Sequence, residues 1–426
     1  MADTDIEIEP NVPPRTATTS AAAGSLTPPL RLTMAVACGL GISNVYYSQP
    51  LLAQIQRSFH ASVSQVGILP TLTQLGFALG VFFLAPLGDV LERRRLILTM
   101  LILVTVSLIA AALSPNLVFL AVASLAVGVT SVISTLVLPF AVALSRPEER
   151  GATVGSIVSA MLIGILLSRT LSGAIGQIWG WRVMYGIACG MMVALALALR
   201  ALLPQSHPAV RLSYGRLLSS MLHLLRTEPV LREATLNGML LYAALSAFWA
   251  TLVFLVEGPS YHYGPAAAGL FGLVAAGGAL MAPLIGRLAD NHSPRFLVGV
   301  MTAGMLAGFL VLWASGLHLL GLIAGVIMVD VAAQAATISN QASVYSLAPE
   351  AHSRLYTVYR AAYSLGGSAG AYLGAIGWSL AGWNGVCSVG CSLLVIALVV
   401  HFNIHTHLHS RKAGTPGGVE TVGDHD

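Results

Sequence analysis

The sequence predicts an all-α membrane protein, with twelve transmembrane helices in two six-helix bundles related by a pseudo-two-fold axis. Three observations carry this. The 426 residues are 56% hydrophobic and only 9% charged, with a mean hydropathy of +0.80, whereas a soluble domain carries about 25% charged residues. The apolar residues are gathered into stretches of about 20, the length that crosses a hydrocarbon core. Landmarks between those stretches also recur at one offset. Asp89 matches Asp290 at 201 residues, while Pro147-Glu148 matches Pro349-Glu350 and Gly180-Trp181 matches Gly382-Trp383 at 202. Such a repeat is the mark of a duplicated bundle whose halves are parallel.

Taken in order, a tail over 1–31 is rich in Asp, Glu, Pro, Thr and Ala. It lacks the basic-then-apolar start of a signal peptide and reads as disordered. The first bundle, 32–203, holds apolar stretches at 32–55, 64–87, 95–113, 116–141, 152–177 and 182–203. An amphipathic, arginine-bearing linker follows at 204–231. The second bundle, 232–403, holds 233–256, 265–287, 296–315, 318–346, 355–377 and 384–403, and a tail closes the chain at 404–426. Arg93, Arg94, Arg95, Arg146, Arg150, Arg211, Arg216, Arg226, Arg295 and Arg354 fall in or beside alternate loops, while the opposite loops hold Arg57 and Arg182. Positive charge marks the cytoplasmic side, so both termini are expected there, in a plasma (inner) membrane. That asymmetry also accounts for a net charge of +4 without a nucleic-acid partner. Cys38, Cys189, Cys387 and Cys391 lie in apolar runs, as packing residues rather than a disulfide or zinc framework. Pro50, Pro70, Pro139 and Pro283 are expected bends. Small-residue runs such as Gly366–Gly374 let helices approach closely. The alternating His401, His405, His407 and His409 form a weak metal pattern with no acid or cysteine to complete it; no metal and no cofactor is expected.

The loop PLGDVLERRR, Pro86 to Arg95, joins the second and third stretches, and Gly286–Arg295 is its weaker copy. On this duplicated loop the chain resembles the transporters of the major facilitator superfamily, over roughly residues 32–403. The family's signature is a Gly, three residues, an Asp, then basic residues. Here Ala85 stands at the Gly position, Asp89, Arg93 and Arg94 are kept, and the second copy keeps Gly286 and Asp290. The resemblance implies gating: Asp89 facing the start of the eleventh helix and Asp290 the start of the fifth. Glu148 with Arg150, and Glu350 with Arg354, would be companion charges. A carboxylate at a helix N-terminus is favoured by about 0.3–1 kcal/mol, enough to bias a two-state opening. The bland reading is a set of surface ion pairs.

Two charges fall mid-helix, Arg169 and Asp330, where burial costs at least about 2.5–3.5 kcal/mol. Arg169 lies in GILLSRTLSG, which resembles the fifth-helix signature of the drug:proton antiporter-like branch, with Ser168-Arg169 in place of its Gly-Pro pair. Two readings stand for Arg169 with Asp330: a proton-coupling pair between the bundles, or a static pair that fixes register. Along the tenth helix Asp330, Gln334, Thr337 and Gln341 share one face. The resemblance makes the first, fourth, seventh and tenth helices the lining of a central cavity, where most of Asn44, Tyr47, Gln49, Gln74, Ser131, Tyr242 and Trp249 fall. Interhelical hydrogen bonding is the alternative for any of them. Arg360 is expected to snorkel to the cytoplasm.

These readings exclude an enzyme, since no histidine or second acid accompanies Asp330, and no P-loop is present. They point to a secondary transporter, acting as a monomer by alternating access on a small-molecule substrate, with the proton as coupling ion and the lipid bilayer as solvent. Antiport, hence efflux of small organic compounds, is the first reading. Proton-coupled uptake or facilitated transport of a polar metabolite is the second.

Overall fold

The computed structural model describes residues 26–205, 213–280, 293–347 and 352–413. The gating candidates Asp290 and Glu350, and the bend expected at Pro283, lie outside them. Among the described residues every regular element is helical. In chain order they are α1 (Pro28–Ser43), α2 (Leu52–Phe59), α3 (Val63–Val66), α4 (Ile68–Leu84), α5 (Leu87–Val90), α6 (Arg93–Ala112), α7 (Leu117–Thr130), α8 (Ile133–Leu144), α9 (Arg150–Trp179), α10 (Trp181–Leu202), α11 (Tyr214–Thr227), α12 (Pro229–Val256), α13 (Pro265–Leu280), α14 (Pro294–Ser315), α15 (Leu319–Tyr345) and α16 (His352–Ala413). Nine continuous stretches of described helix are long and apolar enough to cross a membrane, with a shorter apolar one at Pro265–Ala275.

Local chemistry sets the breaks. A 3-10 turn at Gln49–Leu51 carries Pro50 and separates α1 from α2, because proline offers no N–H to continue the ladder. Ser62 and Gln65 form a reciprocal capping box at the start of α3, and the Asn116 side chain accepts from the Phe119 N–H at the start of α7, each satisfying orphan donors. The bend expected at Pro139 is displaced: α7 and α8 part at Ser131–Val132, and Pro139 lies inside α8. The sequence repeat reappears as backbone geometry. Gly180 and Gly382 both take positive φ, at 87° and 57°, and turn the chain before Trp181 and Trp383. His60 and His262, again 202 apart, are both left-handed at 49° and 55°. Large apolar side chains such as Val118, Leu320 and Leu380 are three-quarters or more exposed. Only a lipid solvent makes such a surface favourable.

Packing runs α1 on α9, α4 on α7, α6 on α10, α12 on α16 and α14 on α15. Contacts between the first six spans and the rest come from α9 on α13 and α4 on α16. At the end of the molecule that carries Arg57 these contacts are backbone-close. A Cβ added at Gly269 of α13 would sit 2.5 Å from the Arg169 carbonyl oxygen of α9, and the Thr170 hydroxyl donates to the Gly269 carbonyl at 3.0 Å. On α16, the Ser368 hydroxyl donates to the Thr71 carbonyl of α4 at 2.9 Å. At the other end, beside Asp89, the helices separate around a cavity of about 550 Å³. The molecule is closed at one end and open at the other.

Gly269→Leu places a branched side chain in the α9–α13 contact. Overpacking of this kind costs about 1–3 kcal/mol, charged against the conformation closed at the Arg57 end. A nitroxide label on Ser353→Cys, at the open mouth, is expected to lose accessibility to a water-soluble relaxant in the Gly269→Leu background.

Candidate functional site

The cavity beside Asp89 leads inward. Its walls include Leu138, Met161, Tyr356 and Arg360, and the same four residues help to line a second chamber of about 190 Å³ near mid-depth. The inner chamber is built by α8, α9, α12, α13, α15 and α16, with Tyr46 from the segment after α1. Helix α1 ends at Ser43 and the chain passes through turns before the 3-10 helix at Gln49–Leu51, so Tyr46 lies in an irregular segment that faces the cavity.

Arg169 is the chamber's buried cation, at 6% exposure. Its guanidinium carbon lies 3.9 Å from the Trp249 ring centroid and 4.9 Å from that of Tyr46. Its Nε donates to Gln49 Oε1 at 2.9 Å. Two aromatic faces and one amide therefore replace its water shell, and a desolvated cation–π contact contributes about 2 kcal/mol. Beside it, the Tyr46 and Tyr242 hydroxyls are 2.9 Å apart, and Gln74 Nε2 donates to the Tyr242 hydroxyl at 2.7 Å. Tyr242 stacks on Tyr363 with centroids 4.1 Å apart and planes at 13°. This aromatic layer joins α4, α12 and α16 at one depth.

Asp330 lines the same chamber. It acts electrostatically on Arg169, yet the two make no ion pair: those among the described residues are Arg57–Glu257, Arg93–Asp89, Arg295–Glu233 and His401–Glu233. Oδ2 of Asp330 and Nε1 of Trp249 are both buried without a hydrogen-bond partner. A buried polar atom in that condition costs about 1–3 kcal/mol, and the arrangement fits either a proton-accepting carboxylate or one that holds register with Arg169.

The other candidates separate into layers. Tyr242, Trp249, Gln334, Thr337 and Gln341 line the chamber. Gln49 and Gln74 stand behind it, holding Arg169 and Tyr242. Asn44, Tyr47 and Ser131 do not reach it. Asn44 turns toward Met192 and the Gly41 carbonyl, Tyr47 is packed at 2% exposure, and Ser131 returns its hydroxyl to Val127 at 2.6 Å. Sequence reasoning chose Tyr47 where Tyr46 is the lining residue, because the helix ends there and helical spacing stops predicting a face. It also missed Tyr356 and Tyr363. The signal was present: Tyr356, Arg360 and Tyr363 recur at i, i+4 and i+7. Arg360 does not snorkel out; its guanidinium lies 5.3 Å from the Tyr363 centroid and 5.5 Å from that of Phe77.

At the open mouth Asp89 pairs with Arg93 at 3.0 Å, and Arg93 Nε also donates to the Gly88 carbonyl at 3.0 Å. Arg354 lines the same mouth from α16. Arg94 caps α10 by donating to the Arg200 carbonyl at 2.6 Å, while Glu148 and Arg150 are exposed. His401 is not a tail residue: it is buried beside Glu233, Nδ1 at 3.4 Å from Oε1. At the closed end Arg57 of α2 reaches Glu257, just past α12, at 2.6 Å.

The Major Facilitator Superfamily model matches residues 32–273 and 234–423. The chain belongs to that superfamily. A superfamily relative, the "Uncharacterized transporter YgaY" of Escherichia coli O157:H7, is 37% identical over 375 residues, covering 88% of this chain and 95% of the relative. The "Probable transporter SCO4007" of Streptomyces coelicolor is 31% identical over 378 residues, covering 88% and 87%. Among solved structures, the nucleoside transporter NupG matches with a TM-score of 0.69 at 13% identity, covering 89% of this chain and 98% of its own. A bacterial homologue of the human lysosomal transporter Spinster, inward-facing and unoccupied, matches with a TM-score of 0.69 at 15% identity, covering 89% and 97%. At those identities the likeness is one of fold. This superfamily member is thus a membrane transporter and not an enzyme.

Burial pushes the Glu257 carboxyl above its usual range, against the opposing pull of Arg57. A carboxyl raised in the closed conformation holds its proton more tightly there than when exposed. Acidification through the raised value therefore favours the closed Arg57 end, and raising the pH above it withdraws that preference. Glu257→Gln is expected to keep this end closed and to flatten the pH dependence of label accessibility at Ser353→Cys.

Proposed function

We propose that this superfamily transporter is a proton-coupled secondary transporter that moves a small organic compound by alternating access, with Asp330 as the proton site. The observation that carries this reading is a chamber lined by a mid-helix carboxylate, one oxygen of which is buried without a hydrogen-bond partner, close to but not ion-paired with a buried guanidinium held by Gln49 and two rings. Protonating Asp330 removes a charge from the shared chamber, and losing a buried charge shifts a two-state equilibrium between packings. The Asp89 end is the cytoplasmic side in this reading, supported by the loop arginines, and the conformation is open to the cytoplasm. The kink of α16 at Ala381–Gly382 supports counting it as two crossings. With α1–α2 and α13 this makes twelve, in bundles 32–203 and 232–403, with the linker 204–231 and both tails cytoplasmic in the inner membrane. The chain works as a monomer, and the Asp89–Arg93 pair with Arg354 is the open half of a gate completed by Asp290 and Glu350.

Direction follows from how compound and proton share the chamber. If they compete for it, the transporter is an antiporter and exports, as the fifth-helix stretch GILLSRTLSG suggests. If each helps the other bind, it takes compound up. Facilitated transport of a polar metabolite is favoured by Gln334, Thr337 and Gln341 on the chamber wall.

The test uses reconstituted vesicles loaded with a pH-reporting dye and compounds chosen by ligand stabilisation of the purified protein. Wild type is expected to move protons when such a compound is added. Asp330→Asn is expected to bind the compound and lose at least tenfold in proton movement. Proton movement unchanged in Asp330→Asn would remove Asp330 from coupling, and compound flux with no proton movement in wild type would establish facilitated transport instead.

A further inference from the structure

The charges around the cavity do not balance. Arg169 and Asp330 share the inner chamber, while Arg360 lines both chamber and mouth. Asp330 bears on Arg169, and the groups that bear on Arg360 are hydroxyls, those of Tyr46, Tyr242, Tyr356 and Tyr363. Among the described residues no carboxylate pairs with Arg360. A guanidinium presents a planar fork of five donors matched to a carboxylate, and here the fork lies between two ring faces with a water-accessible opening beside it. Arg360 is half-buried; partly desolvating a cation without a counter-charge costs free energy, and the Phe77 and Tyr363 faces offset only part of that cost. Beside it Tyr242 and Tyr363 stack on one another at 13° and are both buried, so this part of the wall is a rigid aromatic layer.

The geometry points to a small organic anion as the substrate class, a compact body carrying one carboxylate, with Arg360 anchoring the carboxylate beside the rigid Tyr242–Tyr363 layer. This rests on the transporter reading and names what it carries. It also bears on direction. With Asp330 ionised, the two arginines leave the chamber one positive charge, and with Asp330 protonated they leave two. An anion and a proton therefore assist each other's binding, the arrangement of co-transport rather than exchange.

The experiment measures binding calorimetrically on the purified full chain in lipid-free detergent. The probes are benzoate, salicylate and indole-3-acetate, each compared with its neutral amide. Wild type is expected to bind at least one carboxylate tenfold or more tightly than its amide. Arg360→Gln is expected to erase that preference, and Arg360→Lys to retain part of it. Removing an uncompensated charge should leave the unliganded Arg360→Gln protein at least as heat-stable as wild type, whereas loss of a merely structural arginine would lower its melting temperature. Asp330→Asn, lacking the like charge, should bind the carboxylate several-fold more tightly. Amides binding as well as carboxylates, no carboxylate binding at all, or an unchanged preference in Arg360→Gln would each overturn the proposal. Carboxylate binding in detergent without flux in vesicles would instead overturn the transporter reading and leave the anion site standing. Flux of amides that survives Arg360→Gln would do the reverse.

Discussion

A guanidinium in the middle of a bilayer must be solvated by protein, and the way Arg169 is solvated sets the rest of this molecule. Its side chain is held by Trp249, Tyr46 and Gln49, which come from α12 and from the segment around Pro50. Its backbone carbonyl abuts Gly269 of α13. One residue of α9 thus touches both the chamber and the contact that shuts the Arg57 end. The rings and Gln49 contact the guanidinium directly, and Asp330 acts on it across the chamber without an ion pair. A conventional ion pair at this position would have tied the two helices together and silenced the carboxylate.

The asymmetry between the ends follows from packing at two scales. Toward Arg57, small residues bring α9 to α13 backbone to backbone, and the hydroxyl of Ser368 joins α16 to α4. Toward Asp89 a cavity of about 550 Å³ opens between α4, α8, α9 and α16, and Arg93 reaches Asp89, the Gly88 carbonyl and the Pro139 carbonyl of α8. Close-packed interfaces of this kind switch between discrete arrangements rather than deforming smoothly. Beside the chamber Tyr46, Tyr242 and Gln74 tie α4, α12 and the segment after α1 through one hydroxyl network. Any ligand that recruits Arg360 or Asp330 acts on that network directly.

Much of this was legible in residue order. Apolar length alone foretold a membrane-spanning helical chain, of which nine long apolar stretches stand among the described residues, and the 201–202-residue offset located landmarks that reappear as backbone geometry, Gly180 and Gly382 with positive φ among them. His60 and His262 obey the same offset but gave no sign of it, since a left-handed histidine has no compositional mark. The tenth-helix face was readable because α15 is regular: Asp330, Gln334, Thr337 and Gln341 do share the chamber wall. The first-helix residues were not, because helical phase is lost between Ser43 and Leu52, and Tyr46 rather than Tyr47 turns inward. Arg360 was misread for a different reason. Snorkelling is the economical fate of an arginine near a helix end, and only the Phe77 and Tyr363 rings around it reveal a residue kept inside.

The account depends on the two ends moving in opposition about the chamber. Spin-label distances read this directly, with one pair on His60→Cys and His262→Cys across the closed end and another on Glu148→Cys and Ser353→Cys across the open one. On titration with a ligand that stabilises the protein, the first distance is expected to lengthen as the second shortens. Two distances that change together, or a mouth pair that never shortens, would contradict it.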